Sequence, residues 1–403
     1  MSTSGQQRIV SMDQFRGYTV AGMFLVNFLG GYEAVHAVFM HNDNYFSYAD
    51  SIMPSFMFAC GFSYRLTALK LLGRGAARSL YLRFITRSLG LVLVSLMMYG
   101  FGMEFKLWSE ITPQTVHEFL YKLIKANLWE VLAIIGVAQL LILPVIARRP
   151  SIRALTMIGF VLAHLVLTYL FNFNYVYGLP NAVDATVGVP GSTAWDGGLF
   201  GLLQWAAMIL AGSLAYDLVS TRTPGRSGGT LLTLGLAAMA VGYALSCLSL
   251  LYDGEKPEKG NIAASPVWPP LERLSSRPWK TMLAEPPFVK PPGTDQRPNN
   301  YWMMNKHVTS ITFVLCATGF AAALYGLFVL ALDPGGTGLG LFRTFGQNAL
   351  AAYVLHHMVE TQIHTIVPKN SPLWYCLLGL GVFYLITYVF VRFLEKQGVY
   401  IRL

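Results

Sequence analysis

The chain consists of long apolar runs separated by short polar connections, and these runs give the first prediction. A membrane span needs about 20 mostly apolar residues in a helix. Ten stretches approach that length, and the first and the ninth of them carry several polar residues. The ten are 16–37, 50–70, 84–102, 128–147, 153–172, 199–219, 229–251, 307–332, 342–366 and 372–394. The pattern predicts an all-α polytopic membrane protein with about ten transmembrane helices.

The composition agrees with this class and excludes others. Hydrophobic residues make up 54% of the 403 residues and charged residues only 12%, about half the charged share of an ordinary soluble domain. A soluble chain so poor in charge could not cover its own surface. A membrane barrel would alternate apolar and polar residues instead of forming long apolar runs. The basic residues lie between apolar runs, where they determine how membrane spans are oriented. We therefore attribute the net charge of +9 to membrane topology and expect no nucleic-acid partner.

Lysine and arginine are concentrated in alternate connections between the predicted spans. Counted from the N-terminus, one set of connections holds 17 of them, and the short loops of the other set hold 4. Because connections rich in these residues stay in the cytoplasm, we expect both termini there and an even number of spans. We treat 1–403 as a single transmembrane domain. The Pro-rich segment 252–306 is then a long extracytoplasmic loop within it, extended and only partly ordered.

Polar side chains at membrane depth are costly and are often functional. Asp13 and Arg16 lie three residues apart at the cytoplasmic end of the first span, a spacing that suits a local ion pair or a headgroup contact. Asn27 lies about 15 Å further along a helix than Gly17. It is either a hydrogen-bonding contact between helices or a functional group. Asp50 opens the second span, where an ordinary helix start would also explain it.

Two groups of histidines need a further explanation. His36 and His41 lie in the first outer loop, which contains no lysine or arginine. His356, Glu360 and His364 are spaced to share one helical face. Two histidines and a glutamate could ligate zinc, but the spacing is not that of known helical zinc motifs, so we expect no metal site. A polar helix face that lines a water-filled cavity is the preferred interpretation.

Six basic residues occupy the connection between the second and third spans at spacings of four or five. They suit membrane topology and anionic lipid headgroups, and they also suit attraction of an anionic nucleotide. These residues are Arg65, Lys70, Arg74, Arg78, Arg83 and Arg87.

The N-terminal sequence resembles a known family. The run at 8–17, R-I-V-S-M-D-Q-F-R-G, is similar to the R-x-x-S-x-D-x-F-R-G opening of the heparan-α-glucosaminide N-acetyltransferase-like transmembrane acyltransferases and their bacterial relatives. Weaker similarities follow in the same order at 131–138, 196–199, 306–315 and 345–356.

The resemblance implies a core of about ten spans and a reaction. Members of this family move an acetyl group from cytoplasmic acetyl-CoA to an amino sugar on the far side of the membrane. Their functional histidine lies in the first outer loop and falls on His41 when counted back from Asp50, or on His36 when counted forward from Asn27. We prefer His41. The family's arginine in its V-L-Q-R motif has no counterpart here, because Ile134 or Ile135 stands in its place.

These residue types suit acyl transfer from a thioester. An imidazole such as that of His41 can take the proton of the attacking group, or it can attack first and carry the acetyl group itself. An amide such as that of Asn27 can donate to the tetrahedral oxyanion, where one donor contributes roughly 3 kcal/mol. Asp50 is suited to orient the imidazole. The sequence leaves both the direct and the covalent route open.

The resemblance also assigns Asn348, His356 and Arg16 to the binding of acetyl-CoA. It implies a sugar or glycan acceptor, a multi-pass location in the plasma (inner) membrane, and compatibility with a homodimer. Two alternatives remain open: an O-acetyltransferase of an envelope polysaccharide, and a polytopic secondary transporter without acyl-transfer chemistry.

Overall fold

The computed structural model describes residues 9–75, 77–275, 282–336 and 338–401. Arg8, the first residue of the N-terminal motif, lies outside these ranges. The chain is 68% helical, and the described ranges contain isolated bridges, such as that between Lys259 and Ile262, but no strand. The prediction of an all-α protein is therefore confirmed.

The α-helices follow one another along the chain with short connections, except before α11. They are α1 (Val10–Leu29), α2 (Tyr48–Leu72), α3 (Ala77–Tyr99), α4 (Pro113–Lys122), α5 (Val131–Ile142), α6 (Pro150–Leu167), α7 (Phe173–Val176), α8 (Ala182–Val187), α9 (Gly198–Thr221), α10 (Pro224–Ser246), α11 (Ile311–Leu332), α12 (Gly340–Gln347), α13 (Ala349–His364) and α14 (Leu373–Lys396).

Six helical segments within the described ranges are long and apolar enough to cross a membrane. They are Arg78–Tyr99, Pro150–Val176, Gly198–Thr221, Pro224–Tyr252, Ile311–Leu332 and Leu373–Lys396. Each overlaps one of the ten predicted spans. A seventh arises if Pro113–Asn127 and Val131–Ile142, which meet at an angle of 82°, count as one broken span. The chain therefore has the helices of a multi-span membrane protein.

The count of ten predicted spans is not confirmed, and the four remaining segments differ for physical reasons. Helices α1 and α2 are 20 and 25 residues long, which is sufficient, but they are too polar to pass as lipid-facing spans. Helix α5 has only 12 residues. The predicted span 342–366 is interrupted at Asn348, where the backbone leaves the helical conformation between α12 and α13.

The polarity of α1 and α2 follows from their position inside the bundle. Helix α2 contacts α1, α3, α5, α9 and α11, and α1 contacts α2, α11, α12, α13 and α14. In contrast, only 11% of the apolar window of Pro150–Val176 and 22% of that of Leu373–Lys396 is buried. Apolar residues therefore cover the outward sides of the outer helices, and the polar residues of α1 and α2 lie among other helices.

Glycines allow the central helices to approach at backbone distance. A Cβ atom on Gly61 of α2 would lie 1.8 Å from the carbonyl oxygen of Ile209 in α9, and one on Gly212 would lie 1.9 Å from that of Phe58. Between α1 and α12, a Cβ on Gly17 would meet the backbone of Phe342 at 1.7 Å. Small residues at such contacts give membrane helices the close packing that holds them together.

The segment before α11 differs from the extended, partly ordered loop that we expected. Its described parts contain short turns and buried side chains, including Tyr301, which is fully buried. Arg297 is also buried, and it pairs with Asp253 at 2.5 Å and with Glu285 at 2.5 Å. Its described parts fold against the bundle because Tyr301 and Trp302 are buried and the charge of Arg297 is paired. Helix α11 accordingly begins at Ile311 and not at 307.

The glycine contact between α2 and α9 generates a stability prediction. Gly61→Ala would push a methyl group against a backbone oxygen that cannot move aside, so we expect a loss of about 3 kcal/mol or more. The control is Gly159→Ala in α6, where nothing lies within 4 Å of the added atom and helix propensity favours alanine by up to about 1 kcal/mol. Thermal unfolding of the purified proteins in detergent measures both. Equal stability of the two variants would contradict the close approach.

Candidate active site

A cavity of about 530 Å³ lies where α1, α3 and α13 meet the loop that follows α1. It brings together three residues that were predicted from distant parts of the sequence, namely Asn27, His41 and His356. The polar and aromatic residues that line it are Asn27, His41, Tyr99, His356, His357 and Glu360.

His41 is held by a buried carboxylate. Its Nδ1 lies 3.0 Å from Oδ1 of Asp50, whose side chain is fully buried, whereas 52% of the His41 side chain is exposed. A carboxylate acceptor at Nδ1 keeps the proton on that nitrogen. The other ring nitrogen, Nε2, makes no hydrogen bond to any described residue and carries the lone pair. This is the arrangement that a histidine base needs.

Asp50 also fixes the loop that carries His41. Its Oδ2 accepts hydrogen bonds from the Ser47 hydroxyl at 2.6 Å and from the backbone N–H of Asn42 at 3.2 Å. Ser47 is the N-cap of α2, and its hydroxyl oxygen accepts a hydrogen bond from the backbone N–H of Asp50 at 3.2 Å. The carboxylate therefore lies in the first turn of α2, where the helix dipole stabilises a negative charge. The Asp50 side chain therefore lies where an ordinary helix start would place it, and it also contacts His41 as the predicted orienting role requires.

The amide of Asn27 is positioned by His356. The Nδ1 of His356 donates to the backbone carbonyl of Tyr353 within the same helix, so its Nε2 is an acceptor. Nδ2 of Asn27 lies 3.3 Å from that Nε2 and donates to it. The imidazole also stacks on Phe24, with ring centroids 5.1 Å apart. One amide hydrogen of Asn27 is thereby bonded to His356, and the second is available to a ligand in the cavity.

His36 has a different environment from His41. Its Nδ1 accepts the backbone N–H of Val38 at 3.2 Å, and it caps the short turn that follows. The side chain is exposed and does not line the cavity. Of the two histidines that the sequence left open, only His41 shares the cavity with Asn27.

Arg16 and Asn348, which were expected to contact acetyl-CoA, do not line the cavity. Arg16 donates to the carbonyl oxygen of Gly346 at 2.5 Å and forms the expected ion pair with Asp13 at 3.0 Å. The Asn348 side chain is buried and bonds the C-terminal tail, donating to the Val399 carbonyl and accepting the N–H of Ile401. The contacts of both side chains join α1, α12 and the tail.

Two cavity residues were missed or left without a role by the sequence analysis. Tyr99 ends α3, and its hydroxyl lies 3.1 Å from that of Tyr353; a tyrosine at the end of a span gives no distinct signal in a sequence. Glu360 lies 3.4 Å from His364 and 3.9 Å from His356, which confirms that these three residues share a face. Within the described ranges, no group of three or more His, Cys, Asp or Glu residues could hold a metal ion.

The folded segment before α11 adds charged residues near the loop that carries His41. Lys306 pairs with Asp196 at 3.2 Å, and His307 lies 4.0 Å from Asp43. Burial lowers the pKa of His307, and the carboxylate of Asp43 opposes this shift only in part. His307 is therefore neutral at pH 7, and its contact with Asp43 is not an ion pair.

Comparison with protein-family models gives no match, and no curated protein matches the chain. The class of the protein therefore follows from its own structure. It is an all-α protein with six candidate membrane-spanning helices in its described ranges, and a cavity in which a histidine–aspartate pair faces an asparagine–histidine pair.

The anchoring of the loop by Asp50 can be tested by amide exchange. Asp50→Ala removes the acceptor of the Asn42 N–H, and a hydrogen bond to a charged group is worth about 1.5–3 kcal/mol, so we expect that amide to exchange at least about tenfold faster. Asp43→Ala, in the same loop, removes a half-exposed carboxylate and should change the Asn42 exchange little. Hydrogen–deuterium exchange with mass spectrometry measures both. Equal acceleration in the two variants would show that Asp50 does not anchor the loop.

Proposed function

We propose that the protein is a membrane-bound acyltransferase that moves an acetyl group from cytoplasmic acetyl-CoA to a sugar on the extracytoplasmic side. One observation carries the proposal: a histidine with an orienting carboxylate and an asparagine with an orienting histidine share one cavity. Such a pairing offers a base and an oxyanion donor, the two groups that acyl transfer needs.

The proposed reaction gives each of these groups a role. The acceptor's nitrogen or oxygen bonds to the thioester carbonyl carbon while its proton passes to Nε2 of His41. The negative charge that develops on the carbonyl oxygen accepts the second amide hydrogen of Asn27. The carbon–sulfur bond then breaks, and His41 returns the proton to the leaving CoA thiolate. Asp50 stabilises the imidazolium between these two steps.

The position of the cavity supports transfer across a membrane. Arg16 lies in the second turn of α1 and the loop that carries His41 follows its end at Leu29, so about 20 Å of helix separates them, which is most of the roughly 30 Å thickness of a bilayer core. The lysine and arginine distribution supports cytoplasmic termini. We propose that α1, α2, the α4–α5 pair and the α12–α13 pair complete ten spans in a plasma (inner) membrane. The folded segment before α11 then covers the outer face.

A secondary transporter is the second candidate, because the break between α12 and α13 resembles the discontinuous helices of transporters. Broken helices in transporters present free backbone or side-chain groups to a substrate. Here the Asn348 side chain at the break is engaged by the C-terminal tail instead. This engagement favours the acyltransferase.

The base is tested by substitution of the two loop histidines. His41→Ala should lower the rate of acetyl transfer from acetyl-CoA to an amino sugar by roughly 10²- to 10⁴-fold, because it removes the general base. His36→Ala should retain the wild-type rate. The measurement is CoA thiol release by the purified protein in detergent, together with mass spectrometry of the acceptor. Full activity of His41→Ala would refute the assignment, and transport of unmodified sugar without CoA release would refute the function.

The oxyanion donor is tested separately. Asn27→Ala should lower kcat by roughly 10²- to 10³-fold with little change in KM for acetyl-CoA, because the lost hydrogen bond forms in the transition state. His356→Ala should lower kcat in the same direction by a smaller factor, because the amide remains but loses its orientation. If His356 instead binds acetyl-CoA directly, as the family resemblance implies, its substitution would raise KM and leave kcat unchanged.

A further inference from the structure

Helix α3 carries an arginine, Arg87, whose Nε has no hydrogen-bond partner. The residues of this helix that face the bundle are Leu80, Phe84, Ser88 and Leu91, all of them buried. Arg87 lies on the flank of this face, three residues after Phe84 and four before Leu91. Its Nε is buried and has no hydrogen-bond partner. Within the described ranges its guanidinium makes no hydrogen bond or ion pair.

The other basic residues of the same connection do not have this problem. Lys70, Arg74, Arg78 and Arg83 are exposed. Arg65 is buried, but it pairs with Asp217 at 3.1 Å and donates to the Ile146 carbonyl at 2.7 Å. Five of the six cations are therefore either paired or exposed, whereas Arg87 is partly buried and its Nε has no partner.

The rest of the Arg87 side chain is partly exposed, so an anion can reach the guanidinium, and an acceptor there would offset the cost of a buried donor that has no partner. A phosphate group is the anion whose shape and charge suit a guanidinium best.

Helix α3 links this position to the cavity. Tyr99, which lines the cavity, is 12 residues further along α3, or about 18 Å. An extended pantetheine arm can span that distance between a nucleotide diphosphate and a thioester. We propose that Arg87 binds a phosphate of the acyl donor and thereby places the thioester beside Asn27 and His41. This inference rests on the proposed function.

A lipid headgroup phosphate offers the same chemistry, but the structure favours the donor. The side of α3 that faces outward carries Leu89, Leu93 and Met97, which are 56%, 59% and 78% exposed. Arg87 lies on another side of α3, about 160° around the helix from Leu89 and about 120° from Leu93.

The test is a binding measurement in neutral detergent with CoA and with acetyl-pantetheine, which lacks the phosphates. Arg87→Met should weaken CoA binding roughly 10- to 100-fold, because a hydrogen-bonded charge pair is lost, and should leave acetyl-pantetheine binding unchanged. Arg83→Met, one turn earlier and exposed, is the matched control and should bind both as wild type does. Arg87→Lys retains the charge without the planar fork and should show a smaller loss that is also confined to CoA.

The outcomes separate this inference from the proposed function. If Arg87→Met does not fold, Arg87→Lys carries the test through the same comparison of CoA with acetyl-pantetheine. Wild-type affinity for CoA in the Arg87 variants, or an equal loss for both ligands, would overturn the inference alone. If Arg87→Met loses binding of phosphatidylglycerol, which Arg83→Met retains, and keeps the wild-type affinity for CoA, the lipid is the occupant and the inference is wrong. If the wild type binds no CoA, the proposed function and the inference both fall.

Discussion

The carboxylate of Asp50 has no contact with water, so its hydrogen-bond donors must come from the protein. These hydrogen bonds determine the arrangement of the residues around the candidate site. Ser47, Asn42 and His41 all turn towards it, which fixes the loop after α1 in one conformation. The same constraint acts at Asn27, whose amide reaches the ring of His356. Polar groups inside an apolar bundle must find partners, and here the partners of Asp50 and Asn27 include His41 and His356, which the proposed function needs. The contacts that satisfy these polar groups are therefore also the contacts on which the proposed function rests.

Close helix packing makes this arrangement available. Because Gly61 and Gly212 bring α2 and α9 to backbone distance, α2 lies in the interior and its polar residues are shielded from lipid. Helix α1 is enclosed in the same way. Outer helices such as α6 and α14 present apolar residues outward. The polar residues of the two helices that lie on either side of the His41 loop are therefore enclosed by protein.

The sequence was informative where lipid or burial leaves a simple pattern. Long apolar runs located the six candidate spans, and unusual polar residues led to Asn27, His41 and His356, which share the cavity. The predicted segments 16–37 and 50–70 correspond to helices α1 and α2, but these two are too polar to count among the six candidate spans, because they contact other helices on several sides. The sequence pattern could not distinguish Arg87 from the exposed Arg83, because only the packing of α3 decides which of the two side chains is partly buried. Tyr99 gave no signal for the same reason.

The most direct test of the account uses proteoliposomes in which the protein has a single orientation, verified by labelling of its termini. Labelled acetyl-CoA is supplied on the side of the termini, and an amino sugar is supplied only on the opposite side. The account predicts labelled sugar on the side of His41, and no product when acetyl-CoA is supplied on that side alone. Acetylation that requires both substrates on one side, or passage of intact sugar without acetylation, would contradict it.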